Sequence, residues 1–380
     1  MADYLRQMPH QGSADLARRP SAAARLHIDI PLLLLLLVLT VYGLVVLYSG
    51  SGKDMDAVIR QGRYFLLAYG IMFTVAQVSL ARIMRWAPWV YLIGLATLVA
   101  VMLVGVGAKG AQRWLALGGF RFQPSEIMKL VLPLTVAWYL ADRALPPRFF
   151  HVMVALLLIG LPAALILQQP DLGTALLIAA SGLFVLFMAG MGWRYIFGAV
   201  ILAGASTWPA WMFVLKDYQK QRILTMLDPE SDKLGAGWNI IQSKTAIGSG
   251  GWEGKGWMNG TQSHLDFLPE SHTDFIIAVL SEEFGLRGVL VLMSIYLLIL
   301  LRGFWIGIQA RSTFGRTVAG SLTLTFFVYI FVNMGMVAGL LPVVGVPLPL
   351  VSAGGTSVVT LMAGFGILMA ISTEKSAGPR

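Results

Sequence analysis

The chain has 380 residues, 57% of them hydrophobic and only 12% charged, with 28 Lys and Arg against 19 Asp and Glu for a net charge of +9. Soluble domains carry about a quarter charged residues, and a mean hydropathy of +0.73 leaves too little polar surface to face water, so the bilayer is the solvent. The absence of cysteine excludes disulfides, thiolate nucleophiles and Cys-based metal sites.

Residues 1–27 are polar, carry Arg6, Arg18, Arg19 and Arg25, and read as a disordered cytoplasmic tail. The apolar run 30–48 that follows could imitate a signal peptide, but Ser49 to Asp54 offers a poor cleavage site, so it is expected to stay as a first helix. Further apolar spans fall at 64–80, 87–106, 125–141, 151–168, 172–190, 194–215, 275–301, 317–341 and 353–372. The expected fold is an all-α polytopic integral membrane protein of about ten transmembrane helices, one domain over 28–373 with a short tail at 374–380.

An even count places both tails on one side, and the arginines of the first tail with Lys375 and Arg380 make that side the cytoplasm. The loops holding Arg82 and Arg85, Arg143 and Arg148, and Arg302, Arg311 and Arg316 then fall inside as well. Segments 49–63, 107–125, 216–273 and 341–352 fall outside. The third is a large extracytoplasmic loop between the seventh and eighth spans, with a short amphipathic helix expected over Trp238–Ile247. External basic residues, Lys109, Arg113 and Arg121 in one loop and Lys216, Lys220, Arg222, Lys233, Lys244 and Lys255 in the other, run against the orientation rule. They are either solvated charges, from which long loops are exempt, or the footprint of an anionic ligand. Their dispersal between apolar spans excludes a nucleic-acid surface.

The richest constellation is Leu265 to Phe275, which runs into the eighth span with Glu282 and Glu283. Ser271 or Thr273 could cap the helix and place Asp274 in its first turn. Alternatively, Asp274 near Asp266 and Glu270 at the membrane boundary suits a general base, because desolvation and like charge both raise a carboxylate pKa. Glu283 and Arg287 at i+4 are expected to pair structurally. In the third-to-fourth connection Pro124 and Glu126 fit a helix start, and Glu126 with Lys129 at i+3 fits a pair on one face. Arg113 beside Trp114 offers either a phosphate-binding cation with a sugar-stacking ring or simple interfacial anchoring. Residues 248–256 are glycine-rich, but Ser249 and Gly256 break the Walker pattern, and the five histidines lack zinc spacing. The 340–356 stretch, with Pro342, Pro347 and Pro349, cannot be continuous helix and is expected to fold into the external mouth.

GAQRW at 110–114, QPSE at 123–126, QPDLGT at 169–174, DPESD at 228–232, GTQSHLDFLPESHTDF at 260–275 and PVVGVPLPLVSAGGTS at 342–357 together resemble the SEDS family of shape, elongation, division and sporulation proteins. The resemblance implies ten transmembrane helices and a peptidoglycan glycosyltransferase that polymerises lipid II on the outer face of the bacterial cytoplasmic membrane. It implies action with a class B penicillin-binding protein and other elongation-complex proteins. By the same resemblance Asp274 is the essential Asp of the HTDF motif, and Asp266 stands where relatives often carry Glu. Asn333 and Gly339 fit the C-terminal signature, and Ala353 takes a place often held by Tyr. Asp274 is then expected to act as base or to hold a divalent cation, Mg2+ or Mn2+, with Arg113, Lys129 and Lys244 on the phosphate side and Trp114 and Glu126 beside the substrate. A lipid II flippase and a non-catalytic scaffold are the competing functions.

Overall fold

A bilayer offers backbone amides no partner but their own chain, so apolar stretches become helices whose ends are marked by capping residues. The computed structural model describes residues 26–108, 111–117, 120–232, 235–264 and 270–374. Asp29 accepts the Leu32 amide at the start of α1 (Ile30–Gly50), and Asp54 caps α2 (Met55–Ala76), which is followed by α3 (Leu80–Val104). Three short strands come next, β1 (Val106–Ala108), β2 (Ala111–Leu117) and β3 (Phe120–Phe122), antiparallel in the order β1-β2-β3. The strands occupy what the sequence predicts to be a plain connection.

Helices α4 (Pro124–Ala141), α5 (Phe149–Gln168) and α6 (Leu172–Met188) follow, α4 opening on Pro124 as its position demands and α6 capped by Asp171 through the Thr174 amide. The next helix, α7 (Trp193–Pro209), passes into a π-turn over Ala210–Val214. Within the long connection lie α8 (Asp217–Leu227), α9 (Ala236–Gly250) and the short α10 (Thr261–His264), so the amphipathic segment is helical and longer than expected. Three helices close the chain: α11 (Ile276–Gln309), α12 (Thr313–Val337) and α13 (Thr356–Ser372).

Each expected span falls on a helix, and the chain is an all-α polytopic membrane protein. Among the described residues six helices, α1, α3, α5, α7 with its π-turn, α11 and α12, are long and apolar enough to cross a bilayer, and α6 and α13 are shorter apolar helices. The interior is built mainly by α4, α12, α13 and the first turns of α11. Close helix approach relies on small residues, as in membranes generally. A side chain at Gly43 of α1 would stand 2.7 Å from the Leu350 carbonyl oxygen, and one at Gly366 of α13 would stand 2.5 Å from that of Met72 in α2. On the surface, Leu66, Leu103, Phe150 and Phe213 are among the exposed apolar side chains, as expected of a lipid-facing perimeter.

Helix α7 differs from the other helices long enough to cross a bilayer, since none of its residues is buried. At the end opposite the site, Arg302 of α11 makes a bidentate pair with Asp29, at 3.0 and 2.7 Å.

Two local expectations fail. Residues 270–275 form turns and α11 begins only at Ile276, so Asp274 precedes the helix. The candidate caps are used elsewhere: the Ser271 hydroxyl donates to the Gly50 carbonyl (2.9 Å) and the Thr273 hydroxyl to Glu270 Oε2 (2.7 Å). The Glu283–Arg287 pair does not form either, because α11 is broken at Gly285 (φ 63°, ψ −162°), which rotates the two residues apart. Arg287 instead meets Glu253 at 2.9 Å, while Glu283 accepts the Ser49 hydroxyl.

Candidate active site

The proline-rich connection after α12 cannot continue as helix, so its polar backbone needs partners, and it finds them in the segment ahead of α11. The Ala353 amide donates to the His272 carbonyl (3.0 Å). Ser352 donates its hydroxyl to the Thr273 carbonyl (2.5 Å) and accepts the Leu348 amide (2.8 Å). Asn333, wholly buried on α12, donates through Nδ2 to the carbonyls of both Asp274 (2.9 Å) and Val346 (2.7 Å). The Gly354 amide donates to Gln61 Oε1 on α2, 3.1 Å away. These bonds fix the backbone of Asp274 against residues 344–355, and a side chain at Gly345 would stand 3.5 Å from Asp274 Oδ2.

The result is a cleft enclosing about 950 Å³ with its open mouth, into which Asp274, Glu270, Arg113, Trp114, Glu126 and Lys129 all face. Asp171, Thr174 and residues 353–357 complete its wall. Arg113 is held from β2 by the Pro170 carbonyl (Nη2 to oxygen, 2.6 Å) and by Asp171 (3.6 Å), which itself caps α6. Lys129 and Glu126 pair at 2.7 Å on α4, as their spacing requires, and the ammonium also lies over the Tyr329 ring, 5.0 Å from its centre. Both cations are thus fixed in place by carboxylates before any ligand arrives.

At Lys129 the polar cleft gives way to a narrow apolar chamber between α4, α12 and α13, enclosing about 740 Å³ only when the open space at its mouth is counted. Leu130, Leu322, Phe326 and Phe365 line it, with Glu126, Lys129, Pro347 and Ser357 shared between the two spaces. The buried Thr325 hydroxyl on its wall has no hydrogen-bond partner among the described residues.

The structure therefore gathers Asp274, Arg113, Trp114, Glu126 and Lys129 into one site and leaves Lys244 out. Lys244 is exposed on α9, and its stem packs over Gly339, where a Cβ would meet Lys244 Cε at 2.3 Å. Asp266 lies outside the described residues, as do Lys109 and Lys233. Sequence reasoning missed Asp171, read only as part of QPDLGT, and its one available signal was a helix-capping Asp ahead of an apolar run. No group of three or more His, Cys, Asp or Glu residues able to hold a metal occurs among the described residues.

Comparison with known proteins agrees with this architecture. The family profile for FtsW, RodA and SpoVE, described as "Cell cycle protein", matches residues 30–377. The chain is 53% identical over 351 residues to the peptidoglycan glycosyltransferase MrdB of Escherichia coli strain K12, covering 92% of this chain and 95% of the relative. It is 38% identical over 365 residues to the "Probable peptidoglycan glycosyltransferase FtsW" of Geobacter metallireducens, with 92% and 96% covered. Among solved structures, a chain of a peptidoglycan synthase complex that coordinates polymerization and crosslinking superposes with a TM-score of 0.80 at 30% identity, covering 92% of this chain and 99% of that one. The rod shape determining protein RodA of Thermus thermophilus gives 0.70 at 27% identity, with 92% and 98% covered. With matches over nearly the whole length in both sequence and structure, the chain belongs to the FtsW/RodA/SpoVE family, the SEDS family that its motifs resemble.

Proposed function

We propose that the chain is a peptidoglycan glycosyltransferase that polymerises lipid II into glycan strands on the outer face of the cytoplasmic membrane, serving cell elongation and rod shape. In this reading the chain crosses the membrane ten times with both termini inside, and residues 216–274 lie outside. The basic residues of the tails, Arg82 and Arg85 in the first turns of α3, Arg143 and Arg148 between α4 and α5, and Arg311 between α11 and α12 support that orientation. The similarity to the E. coli glycosyltransferase supports the activity.

One observation carries the proposal: a polar cleft holding Asp274, Arg113 and Lys129 adjoins an apolar chamber at Lys129. A substrate with a sugar head, a diphosphate and an isoprenoid chain matches that sequence of environments. The acceptor sugar's 4-hydroxyl attacks the anomeric carbon of the donor, and the bond from that carbon to the diphosphate oxygen breaks with its electron pair leaving on the diphosphate. Asp274 takes the hydroxyl proton, which raises the nucleophilicity of the oxygen as the new bond forms. Arg113 and Lys129, pre-placed by Asp171 and Glu126, stabilise the charge growing on the departing diphosphate. Trp114 offers a face for a sugar ring.

A divalent cation fits as a companion of the substrate. Mg2+ usually combines one or two carboxylates with substrate phosphates, and Asp274 with Glu270 in the same cleft supplies such donors. The cation would neutralise diphosphate charge when bound.

The partner in this reading is a class B penicillin-binding protein acting with other elongation-complex proteins, as the superposition on a chain from a synthase complex supports. The test is polymerisation of fluorescent lipid II by the purified chain, with and without its transpeptidase partner. Asp274→Asn should reduce the rate by at least about a hundredfold. Wild-type polymerisation by that variant would overturn the base assignment, and chain growth from externally supplied lipid II would remove a transport-only account.

A further inference from the structure

Glu282 and Glu283 are buried in α11 and do not line the cleft. The helix breaks directly beyond them, at Gly285, in a left-handed conformation that favours glycine. A side chain there would stand 2.4 Å from the Gly254 amide nitrogen and 2.6 Å from the Trp252 carbonyl oxygen, so the turn after α9 is pressed into the break. That turn completes the interrupted ladder. The amides of Lys255 and Gly256 donate to the carbonyls of Glu282 (3.0 Å) and Glu283 (2.9 Å), and those of Leu286 and Arg287 donate to Gly251 (2.9 Å) and Trp252 (3.3 Å).

Residues 276–284 are consequently seated by the inserted turn, where an unbroken helix would have been held by its inner length. Two carboxylates fasten them in opposite directions. Glu283 accepts from Ser49 at the end of α1. Glu282 accepts the Lys255 ammonium (2.7 Å), the Thr261 amide (2.8 Å) and hydroxyl (3.0 Å), and the Gln262 amide (3.1 Å). One carboxylate thereby gathers the turn, the start of α10 and the outer part of α11.

We propose that Glu282 is a positioning residue for glycan polymerisation: it sets the outer segment of α11, and with it the placement of Asp274 at the head of that segment, without touching substrate. This rests on the polymerase reading above. The geometry favours a positioning role because the bonded groups lie on α10 (Thr261–His264) and on the outer part of α11, which begins at Ile276 directly after the turns of residues 270–275 that carry Asp274. A misplacement of about 1 Å at a reacting group can cost about a hundredfold in rate.

The experiment measures kcat and KM for lipid II polymerisation, corrected for folded fraction by thermal unfolding, in full-length wild type, Glu282→Gln, Lys255→Met and Arg302→Ala. The last removes a comparable ion pair at the far end of α11 and serves as the stability control. Glu282→Gln should lower kcat by about tenfold to a hundredfold with KM within about twofold, and should speed amide hydrogen exchange over residues 261–264 and 270–275. Lys255→Met should lower kcat less, because the Thr261 and Gln262 amides still hold the carboxylate. A wild-type kcat for Glu282→Gln overturns the proposal, as does a loss that Arg302→Ala reproduces at equal destabilisation or one that appears wholly in KM. Failure of the wild-type chain to polymerise would strike the polymerase reading instead.

Discussion

Asn333→Ala tests whether the site is held together by the bond between α12 and the segment ahead of α11. The wild-type side chain is fully buried and donates to two carbonyls, those of Asp274 and Val346. Its own Oδ1 is buried and lacks a partner among the described residues, so the net contribution of the side chain comes from Nδ2 alone. Truncation removes the donor from one buried carbonyl, Val346, and one part-buried carbonyl, Asp274, at about 1–3 kcal/mol for the first and less for the second, which faces the cleft. Some relaxation of the 342–355 connection will recover part of this, giving an expected loss of about 1–3 kcal/mol. Activity should fall further than stability, by about tenfold or more in kcat at temperatures where the variant remains folded, because the backbone of Asp274 loses its fixed reference. Thermal unfolding in detergent and initial rates on fluorescent lipid II measure the two effects. An Asn333→Ala protein with wild-type melting temperature and wild-type kcat would refute the reasoning.

Gly285→Ala places a methyl group against the backbone of Trp252 and Gly254 and strains a positive φ, so it should destabilise the protein by at least about 2 kcal/mol or prevent accumulation in the membrane, read by folded yield. A double-mutant cycle on Asp29 and Arg302 should return a coupling of about 1–3 kcal/mol, above that of an exposed pair, because the contact is bidentate and Asp29 is buried. Thr325→Val should leave thermal stability unchanged within about 0.5 kcal/mol or raise it, since the buried hydroxyl it removes has no hydrogen-bond partner among the described residues. A clear destabilisation would show that this hydroxyl is in fact bonded, most simply to water in the chamber.

The helices were legible because the bilayer converts one property, apolar length, into one structure, and every expected span overlaps a helix, although the helices Met55–Ala76 and Leu80–Val104 start nine and seven residues before the spans expected at 64–80 and 87–106, and Ile276–Gln309 runs eight residues past 301. Where that rule stops, so did the reading. The sheet over 106–122 rests on pairing between short strands that carry no apolar periodicity of their own. The break in α11 was invisible because Gly285 sits in an apolar run where a glycine is ordinary, and its partner turn lies about thirty residues upstream. Assuming continuity there produced the Glu283–Arg287 pair, which i+4 spacing predicts and a rotated backbone forbids. Lys244 was counted with the phosphate-side cations because its loop is basic, but the face of α9 that carries it packs on Gly339. Arg113, Trp114, Glu126, Lys129 and Asp274 stand in short, local motifs and line one cleft, whereas Asn333 could be named from sequence without any hint that it carries the backbone of Asp274.

The hydrogen bond from Gly354 to Gln61 joins residues 293 positions apart, and the bonds of Ser352 and Ala353 complete the frame around Asp274. A membrane protein enters the bilayer in the order in which it is made, so α2 and the Asp274 segment are in place well before their common partner emerges. Until residues 352–354 are synthesised, the frame around Asp274 lacks those bonds. Assembly of the frame around Asp274 is thereby coupled to the end of translation, and a chain stopped short of Ser352 would carry most of the helices and all of the charged cleft residues but not the bonds that hold them in register.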